Sequence, residues 1–260
     1  MRSEKCNILK QVKTLLGNDI VLWGCPPLEG GPEFLQQQFE QKFRGGDNYI
    51  LVVGVFHGDE PQGKTIIEQY LMAGKYAQPM KLSPPPNPLP QGEGEQACPP
   101  AFLPSCHLLF IPCLNPDGLA AGTRTNANGV DLNRNFPAKN WVLSGKDEFF
   151  GGEEPASEIE TRFLIEVLEE YKPQLILTLH APYKVVNYDG PAREIAEKIA
   201  EITGYPVEEN IGYPTPGSFG TYAGIERQIP TITLELDETC PLEELYPPVS
   251  KIFDKILLTL

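Results

Sequence analysis

Short apolar segments alternate along this 260-residue chain with segments whose apolar residues recur at helical spacing. The apolar segments predict strands over residues 49–57, 107–112, 175–180 and 232–236. The periodic segments predict helices over residues 61–73, 158–171 and 192–203, with another from about residue 242. Strands that are apolar throughout are buried on both sides, so helices must cover both faces of the sheet. We therefore predict an α/β fold: a mixed, mostly parallel twisted sheet with helices on both faces.

A proline-rich run interrupts this alternation between residues 81 and 104, where the sequence reads PPPNPLPQGEGEQ and then PP. Such a run cannot form a helix or a central strand, and it offers little apolar material to bury. A chain of this length can otherwise bury one sizeable core. We predict a single domain over residues 1–260 that carries a flexible surface insertion at about residues 81–104.

The composition excludes some partners. A net charge of −14 argues against nucleic acids and anionic membranes, which both select basic patches. The first residues contain no apolar stretch long enough for a signal peptide, and no segment reaches transmembrane length. The six cysteines show no Cys-x-x-Cys spacing, which favours free thiols over a cysteine zinc site. We therefore expect a cytoplasmic protein without nucleic-acid or membrane partners, and the oligomeric state stays open.

Two histidines follow apolar strands, and one of them belongs to the run His57-Gly58-Asp59-Glu60. Gly58 permits the chain to turn, so that His57 and Glu60 can reach one metal ion. A catalytic zinc typically takes three protein ligands and leaves one position for water. His180 is the obvious third ligand, because ligands of open α/β sheets bind where strands end. The spacing thus predicts a zinc site made by His57, Glu60 and His180.

Glu235 lies in the apolar run Thr-Ile-Thr-Leu-Glu-Leu at the end of another predicted strand. An ionised carboxylate among apolar residues is costly unless a cation or a hydrogen-bond donor meets it. The zinc site would supply such a cation. Alternatively, Glu235 simply faces solvent in an alternating strand, as Thr231 and Thr233 would allow.

The segment over residues 115–137 is dense in turn formers, yet it contains Arg124 and the run Asp131-Leu-Asn133-Arg134-Asn135. The planar fork of arginine suits carboxylates and developing oxyanions, and asparagine adds neutral hydrogen bonds. A site that polarises a carbonyl and holds a substrate carboxylate needs such groups. The alternative is an elaborate loop whose polar residues only bond one another.

The identity, order and approximate spacing of these residues resemble the zinc carboxypeptidase family: His57, Glu60, Arg124, Asp131, Asn133, Arg134, His180 and Glu235. Residues 151–158 and 216–222 look like those of its bacterial murein peptide amidases, which cut the γ-D-glutamyl–diaminopimelate bond of cell-wall peptides. The likeness extends over about residues 49–236 and is interrupted by the proline-rich insertion.

The resemblance implies a role for each matching residue around the metal. His57, Glu60 and His180 would bind one zinc ion per chain. Asp131 would accept a hydrogen bond from His57, which fixes the orientation of a ligating imidazole. Arg124 would stabilise the oxyanion that forms when water adds to the scissile carbonyl.

The remaining roles concern the substrate and the proton. Asn133 and Arg134 would hold the carboxylate beside the scissile amide. Glu235 would act as the general base and then return the proton to the leaving amine. Tyr213 lies near the position of a mobile substrate-binding tyrosine in the family, and Tyr222 is the alternative.

We therefore predict a zinc metallocarboxypeptidase or amidase that hydrolyses an amide next to a free carboxylate, using metal-activated water. The resemblance implies a small murein peptide as the substrate and a role in peptide recycling. An N-acyl amino-acid deacylase, similar to succinylglutamate desuccinylase and aspartoacylase, shares much of the layout, but residues 217–222 favour the peptidase. A non-catalytic binding module would lack a ligand or the general base, and the sequence lacks neither.

Overall fold

The strands form one eight-stranded mixed sheet in a computed structural model, which describes residues 6–25, 49–73, 108–209 and 212–256. The strands are β1 (Asn7–Lys13), β2 (Asp19–Cys25), β3 (Ile50–Gly54), β4 (Leu108–Ile111), β5 (Leu175–His180), β6 (Val185–Asp189), β7 (Val207–Glu208) and β8 (Thr231–Glu235). The helices are α1 (Gln62–Ala73), α2 (Pro116–Ala121), α3 (Ile159–Tyr171), α4 (Arg193–Thr203) and α5 (Leu242–Lys251). A 3-10 turn at Leu132–Arg134 and π-helical turns at Gly220–Ile225 and Ile252–Ile256 complete the elements.

The strand order across the sheet is β1-β2-β4-β3-β5-β8-β6-β7. The four central strands β4, β3, β5 and β8 run parallel to one another. At one edge β2 pairs antiparallel with β4 and β1, and at the other β6 pairs antiparallel with β8 and parallel with β7. The predicted fold class, a mixed sheet covered by helices, is confirmed.

Side chains of the central strands are buried alternately on the two faces of the sheet. In β3, Ile50 and Val52 belong to one apolar cluster, which also contains buried residues of α1, α4 and α5. Leu51 and Val53 point the other way, into a second cluster that contains residues of α3. Burying one such aliphatic side chain stabilises the fold by about 1.5–3 kcal/mol. Helices on both faces are therefore required to keep these strands out of water.

Several predicted boundaries differ from the observed ones by a residue, and one strand is much shorter than predicted. The strand expected over residues 49–57 ends at Gly54, because Val55 takes a left-handed backbone conformation with φ 55°. The chain then leaves the sheet before His57. Strands β1, β2, β6 and β7 were not predicted, since their sequences mix polar and apolar residues without a long buried run.

The proline-rich segment over residues 81–104 lies outside the described residues, so the insertion and the single-domain organisation stay predictions. Within the described parts of the chain, every helix is too short or too polar to cross a lipid bilayer.

The expectation of free thiols is wrong for two cysteines, because Cys6 and Cys25 form a disulfide. Antiparallel pairing of β1 with β2 sets Asn7 opposite Gly24, which brings the flanking cysteines together. Their separation of 19 residues gave no sign of this contact before the hairpin was known. Two other cysteines, at positions 113 and 240, are free, and those at positions 98 and 106 lie outside the described residues.

We expect the Cys6→Ser substitution to lower the free energy of unfolding by about 3 kcal/mol, because a disulfide across a short loop restricts the unfolded chain. Cys25 is buried and would remain as a small apolar side chain. Urea unfolding without reductant measures the change. The control is Cys240→Ser, a free thiol whose removal should change stability by less than about 0.5 kcal/mol. Equal unfolding midpoints for the two variants would contradict the disulfide.

Candidate active site

Three adjacent strands of the central sheet hold the predicted metal ligands and the predicted base. His180 ends β5 and Glu235 ends β8, and the two residues stand opposite each other in the sheet. His57 follows β3, the neighbour of β5 on its other side. Parallel strands end at one edge of a sheet, so their terminal side chains meet there.

The side chains of His57, Glu60 and His180 form a compact donor set. The carboxylate of Glu60 bridges the two imidazoles, with Oε1 2.7 Å from Nδ1 of His57 and Oε2 3.0 Å from Nδ1 of His180. One ligand atom from each residue lies within 4.8 Å of the others, and all three side chains are largely buried. The structure therefore brings together the three residues that the sequence predicted as zinc ligands.

The reason why glycine is required at position 58 differs from the predicted one. Its φ is not in the left-handed region, but a Cβ at this position would overlap the backbone of Gly118 and Leu119 in α2. The turn itself is closed by a hydrogen bond from the Glu60 N–H to the His57 carbonyl, at 3.2 Å. Glycine is thus needed because the His57–Glu60 turn packs directly on a neighbouring helix.

Asp131 is fully buried and holds two functional side chains with its two oxygens. Oδ1 lies 3.2 Å from Nε2 of His57 and accepts the Asn133 N–H at 2.8 Å. Oδ2 accepts two hydrogen bonds from Arg124, from Nε at 3.0 Å and from Nη2 at 2.9 Å. One carboxylate therefore fixes the orientation of a predicted metal ligand and of the predicted oxyanion-binding arginine.

The carboxylates around His57 create a strongly negative environment. Burial disfavours the charged imidazole of His57, yet Asp131 and Glu60 raise its pKa to about 9. Burial also disfavours the charged form of Glu60, but His180 and His57 lower the pKa of Glu60 to about 2. The pKa of Asp131 is likewise below its ordinary value, against its burial, because of His57 and Arg124. The cluster thus stabilises positive charge at its centre.

A zinc ion fits this cluster. Imidazole nitrogens and carboxylate oxygens are ordinary zinc ligands, and three of them leave a position open, as in catalytic zinc centres. Glu235 supplies a second observation, because its Oε2 is buried and has no hydrogen-bond partner among the described residues. Burial raises the pKa of Glu235, and nearby Glu60 adds to this, while His180 opposes it. A buried carboxylate oxygen without a partner, beside three metal-type ligands, suits a site that binds a cation and water.

We expect Asp131→Asn to weaken zinc binding about 10–100-fold, because the amide cannot orient both His57 and Arg124 as the carboxylate does. Competition with a chromophoric chelator measures the Kd for zinc in the variant and in the wild type. An unchanged Kd would contradict this role for Asp131.

The predicted carboxylate-binding residues lie on the 3-10 turn that follows Asp131. The side-chain oxygen of Asn133 accepts the N–H of Phe219 at 2.9 Å, which leaves the two N–H donors of its Nδ2 for another partner. Arg134 is largely buried and donates from Nη1 to the carbonyl of Asn133 at 2.8 Å. Both side chains line the same cavity as the predicted zinc ligands.

Two glycine-containing segments enclose this turn. Added Cβ atoms at Gly151 and Gly217 would overlap or crowd the backbone of Arg134, and φ of Gly217 is 70°. The side-chain amide of Asn135 donates to the Gly151 carbonyl at 2.8 Å and to the Ser157 hydroxyl at 3.0 Å. The segments over residues 151–158 and 216–222, noted in the sequence only for their likeness to a family, therefore support the arginine-bearing turn.

Phe149 was not predicted, but it packs against both arginines. Its ring centre is 5.1 Å from the guanidinium carbon of Arg124 and 5.9 Å from that of Arg134. The ring is 44% exposed, so it forms part of the surface beside the site. Cation–π contacts of this kind orient a guanidinium without neutralising it. No spacing in the sequence links residue 149 to either arginine.

The two candidate tyrosines occupy different environments. Tyr213 is 41% exposed and lines the cavity together with Tyr183. Tyr222 is 3% exposed and packs against Phe136 and under the guanidinium of Arg227. Only Tyr213 of the two is thus positioned to meet a ligand.

The cavity has a volume of about 310 Å³, and its lining adds residues that the sequence did not single out. Asn187 and Asp189 come from β6, Thr233 from β8, and Ser218 and Gly220 from the segment before β8. Strand β6 is a five-residue element beside turn formers, so its sequence carried no sign of a ligand-facing side. Its pairing with β8 puts these residues beside Glu235.

Three features at the edge of an α/β sheet define a metal-dependent hydrolase site: a buried His–Glu–His donor set, a buried carboxylate oxygen with no partner among the described residues, and two arginines. The family model for zinc carboxypeptidases, peptidase family M14, matches residues 36–198, more than half of the chain. The chain therefore belongs to the zinc carboxypeptidase family, a family of metallopeptidases, as its resemblance predicted. The matched region includes every predicted site residue up to His180, whereas Tyr213 and Glu235 lie beyond it.

Curated relatives and a solved structure agree with this assignment. Murein peptide amidase A of Escherichia coli strain K12 is 35% identical over 152 residues, which cover 54% of this chain and 58% of that protein. Its counterpart from Vibrio campbellii is 35% identical over 155 residues, which cover 51% and 61%. The match thus spans about three fifths of the length of these relatives. The crystal structure of murein-tripeptide amidase from Escherichia coli O157 has the same fold, with a TM-score of 0.67, 23% identity and coverage of 98% of this chain and 92% of that one.

Proposed function

We propose that this protein is a zinc-dependent amidase that hydrolyses an amide next to a free carboxylate in a small peptide. The specific bond we propose is the γ-D-glutamyl–diaminopimelate bond of murein peptides. The observation that carries the proposal is a buried oxygen of Glu235 that has no partner in the described parts of the chain, beside the donor set of His57, Glu60 and His180. The names of the two murein peptide amidases above support the choice of peptide.

Zinc bound by the three ligands would supply Lewis acidity and lower the pKa of water at its open position. Glu235 accepts the proton of the attacking water and then passes it to the leaving amine. The raised pKa of Glu235 favours the first step, because a carboxylate with a very low pKa is a poor proton acceptor. Arg124, fixed by Asp131, donates to the oxygen on which negative charge develops.

The remaining residues position the peptide. Asn133 and Arg134 provide hydrogen-bond donors on one side of the cavity, where the carboxylate next to the scissile amide would bind. Tyr213, at the mouth, would contact the bound peptide. A peptide whose carboxylate were amidated would lose the charge-assisted bonds to Arg134.

The reaction can be tested by mass spectrometry of L-Ala-γ-D-Glu-meso-diaminopimelate incubated with the zinc-loaded protein. Release of free diaminopimelate by the wild type, but not by Glu235→Gln, is the expected result. An intact tripeptide would contradict the murein assignment. Hydrolysis of N-succinylglutamate or N-acetylaspartate instead would support the deacylase alternative, and these compounds form the second panel.

A cytoplasmic location, with the peptide arriving by recycling from the wall, is part of the proposal and rests on sequence prediction. The Cys6–Cys25 disulfide is more typical of oxidising compartments, so the location needs its own test. Cell fractionation followed by immunodetection decides it. Recovery with cytoplasmic markers supports the proposal, and recovery with exported markers contradicts it.

A further inference from the structure

Phe149 contacts both arginines of the catalytic cavity, and none of the proposed steps uses it. The guanidinium carbon of Arg124 lies over its ring at 5.1 Å from the ring centre, and that of Arg134 lies over it at 5.9 Å. The negative face of an aromatic ring attracts a cation at distances up to about 6 Å. One ring therefore contacts both the proposed oxyanion-binding cation and the proposed carboxylate-binding cation.

The chain around Phe149 fixes the ring relative to Arg124. The side chain of Asp147 accepts the Phe149 N–H at 2.9 Å, which holds the backbone of the loop. The carbonyl of the next residue, Phe150, accepts the N–H of Asp131 at 2.8 Å. Asp131 is the residue whose carboxylate holds Arg124. The ring and this arginine are thus anchored to the same residue.

The same segment is also joined to the turn that carries Arg134. The side-chain amide of Asn135, which follows Arg134, donates to the Gly151 carbonyl at 2.8 Å. Arg134 is only 6% exposed, and no carboxylate in the described parts of the chain forms an ion pair with it. The ring of Phe149 therefore faces a buried cation whose charge remains available to a ligand.

A ring contact holds a guanidinium without occupying its hydrogen-bond donors. These donors lie in the plane of the group, and two of the five in Arg124 are bonded to Asp131. A ring at the cationic carbon takes none of the others and does not neutralise the charge. A carboxylate in place of Phe149 would also hold both cations, but it would compete with the carboxylate of a substrate.

We infer that Phe149 is a positioning residue that keeps the guanidiniums of Arg124 and Arg134 in a fixed relation to each other. A substrate carboxylate bound at Arg134 then places the neighbouring scissile carbonyl where Arg124 can stabilise the developing charge. The inference rests on the proposed function, from which it takes the roles of the two arginines, and it adds the residue that couples them.

The test compares Phe149→Leu with the wild type on two peptides. One is L-Ala-γ-D-Glu-meso-diaminopimelate, and the other has a carboxamide in place of the carboxylate beside the scissile amide. We expect kcat/KM of the variant to be about 10-fold lower on the first peptide, because each cation–π contact is worth about 2- to 5-fold and two are lost. On the carboxamide peptide we expect a loss of only about 3-fold, because Arg134 meets no charge there and only the contact with Arg124 still matters.

Two further variants separate the cation–π contacts from the bulk of the side chain. Phe149→Tyr keeps an aromatic face and should stay within about twofold of the wild type on both peptides. Leu143→Ala removes a side chain that is 61% exposed in the same segment between the 3-10 turn and α3, and it should also stay within about twofold. Zinc content and the unfolding midpoint of Phe149→Leu should match those of the wild type, because the ring is partly exposed.

The outcomes distinguish this inference from the proposed function. An equal loss on the two peptides would mean that the side chain matters only for its bulk, and it would overturn the inference while leaving the proposed amidase intact. A Phe149→Tyr variant as slow as Phe149→Leu, or a Phe149→Leu variant as fast as the wild type, would do the same. Cleavage of neither peptide by the wild type would overturn the proposed function itself. If only the carboxamide peptide is inert, the comparison of Phe149→Leu with Phe149→Tyr on the first peptide still decides the question.

Discussion

Replacing Glu235 with Gln is expected to lower kcat about 10²–10⁴-fold, the usual contribution of a positioned general base. The amide preserves the shape of the side chain but cannot accept the proton of the attacking water. Its carbonyl can still occupy the position of the buried Oε2 beside His180. Substrate binding should therefore change much less than kcat, and steady-state kinetics on the γ-D-glutamyl peptide separates the two effects.

Two controls make this result specific to the base. Glu238→Gln changes an exposed carboxylate of the same cavity and should leave kcat within about twofold of the wild type, as most surface substitutions have small effects. Zinc content, measured by elemental analysis, should be the same in Glu235→Gln and in the wild type. A variant with near-normal kcat, or one that has lost its zinc, would contradict the role given to Glu235.

Zinc is expected to stabilise the metal-free protein by about 4 kcal/mol when its free concentration is about a thousand times its Kd. The cause is that the donor set of His57, Glu60 and His180 exists only in the folded chain. Chemical denaturation with zinc and with chelator measures the difference, and elemental analysis should give one zinc per chain. In Glu60→Ala both the stabilisation and the bound zinc should be lost, since the carboxylate that bridges the two imidazoles is gone.

The neighbouring carboxylate provides the matched control for this experiment. Asp59 is exposed and lines the cavity, but it is not part of the donor set. Asp59→Ala should therefore retain one zinc per chain and the full stabilisation. Retention of zinc by Glu60→Ala, or its loss from Asp59→Ala, would place the metal elsewhere.

The donor set of His57, Glu60 and His180 was predictable from the sequence because the spacing of these residues and their position after apolar strands are local properties. His180 and Glu235 each end a strand with an apolar interior, and His57 and Glu60 are three residues apart. Whether these strands are neighbours depends on the sheet order, which the sequence alone did not specify. Apolar periodicity was thus enough to predict the fold class, and residue spacing was enough to predict the donor set, but neither specified the order of the strands.

Other parts of the site depend on contacts between distant segments. Phe149 meets Arg124 and Arg134 only after its loop folds over them. Asp189 ends a short strand and, before a glycine, reads as an ordinary turn residue. Cys6 and Cys25 meet because a hairpin forms, although the thiols were expected to be free. In each case the role of the residue depends on a tertiary contact, which no local sequence pattern indicates.

The sheet holds the hydrolytic residues, whereas one connecting segment holds other residues that line the cavity. This arrangement has a consequence for the evolution of the enzyme. The predicted zinc ligands and Glu235 depend on the buried strands β3, β5 and β8, where a change of volume disturbs the core. Tyr213, Ser218 and Gly220 lie instead on one continuous stretch of chain between β7 and β8. Changes near Tyr213, ahead of residues 216–222 that support the arginine-bearing turn, can remodel ligand preference while the hydrolytic centre is inherited unchanged.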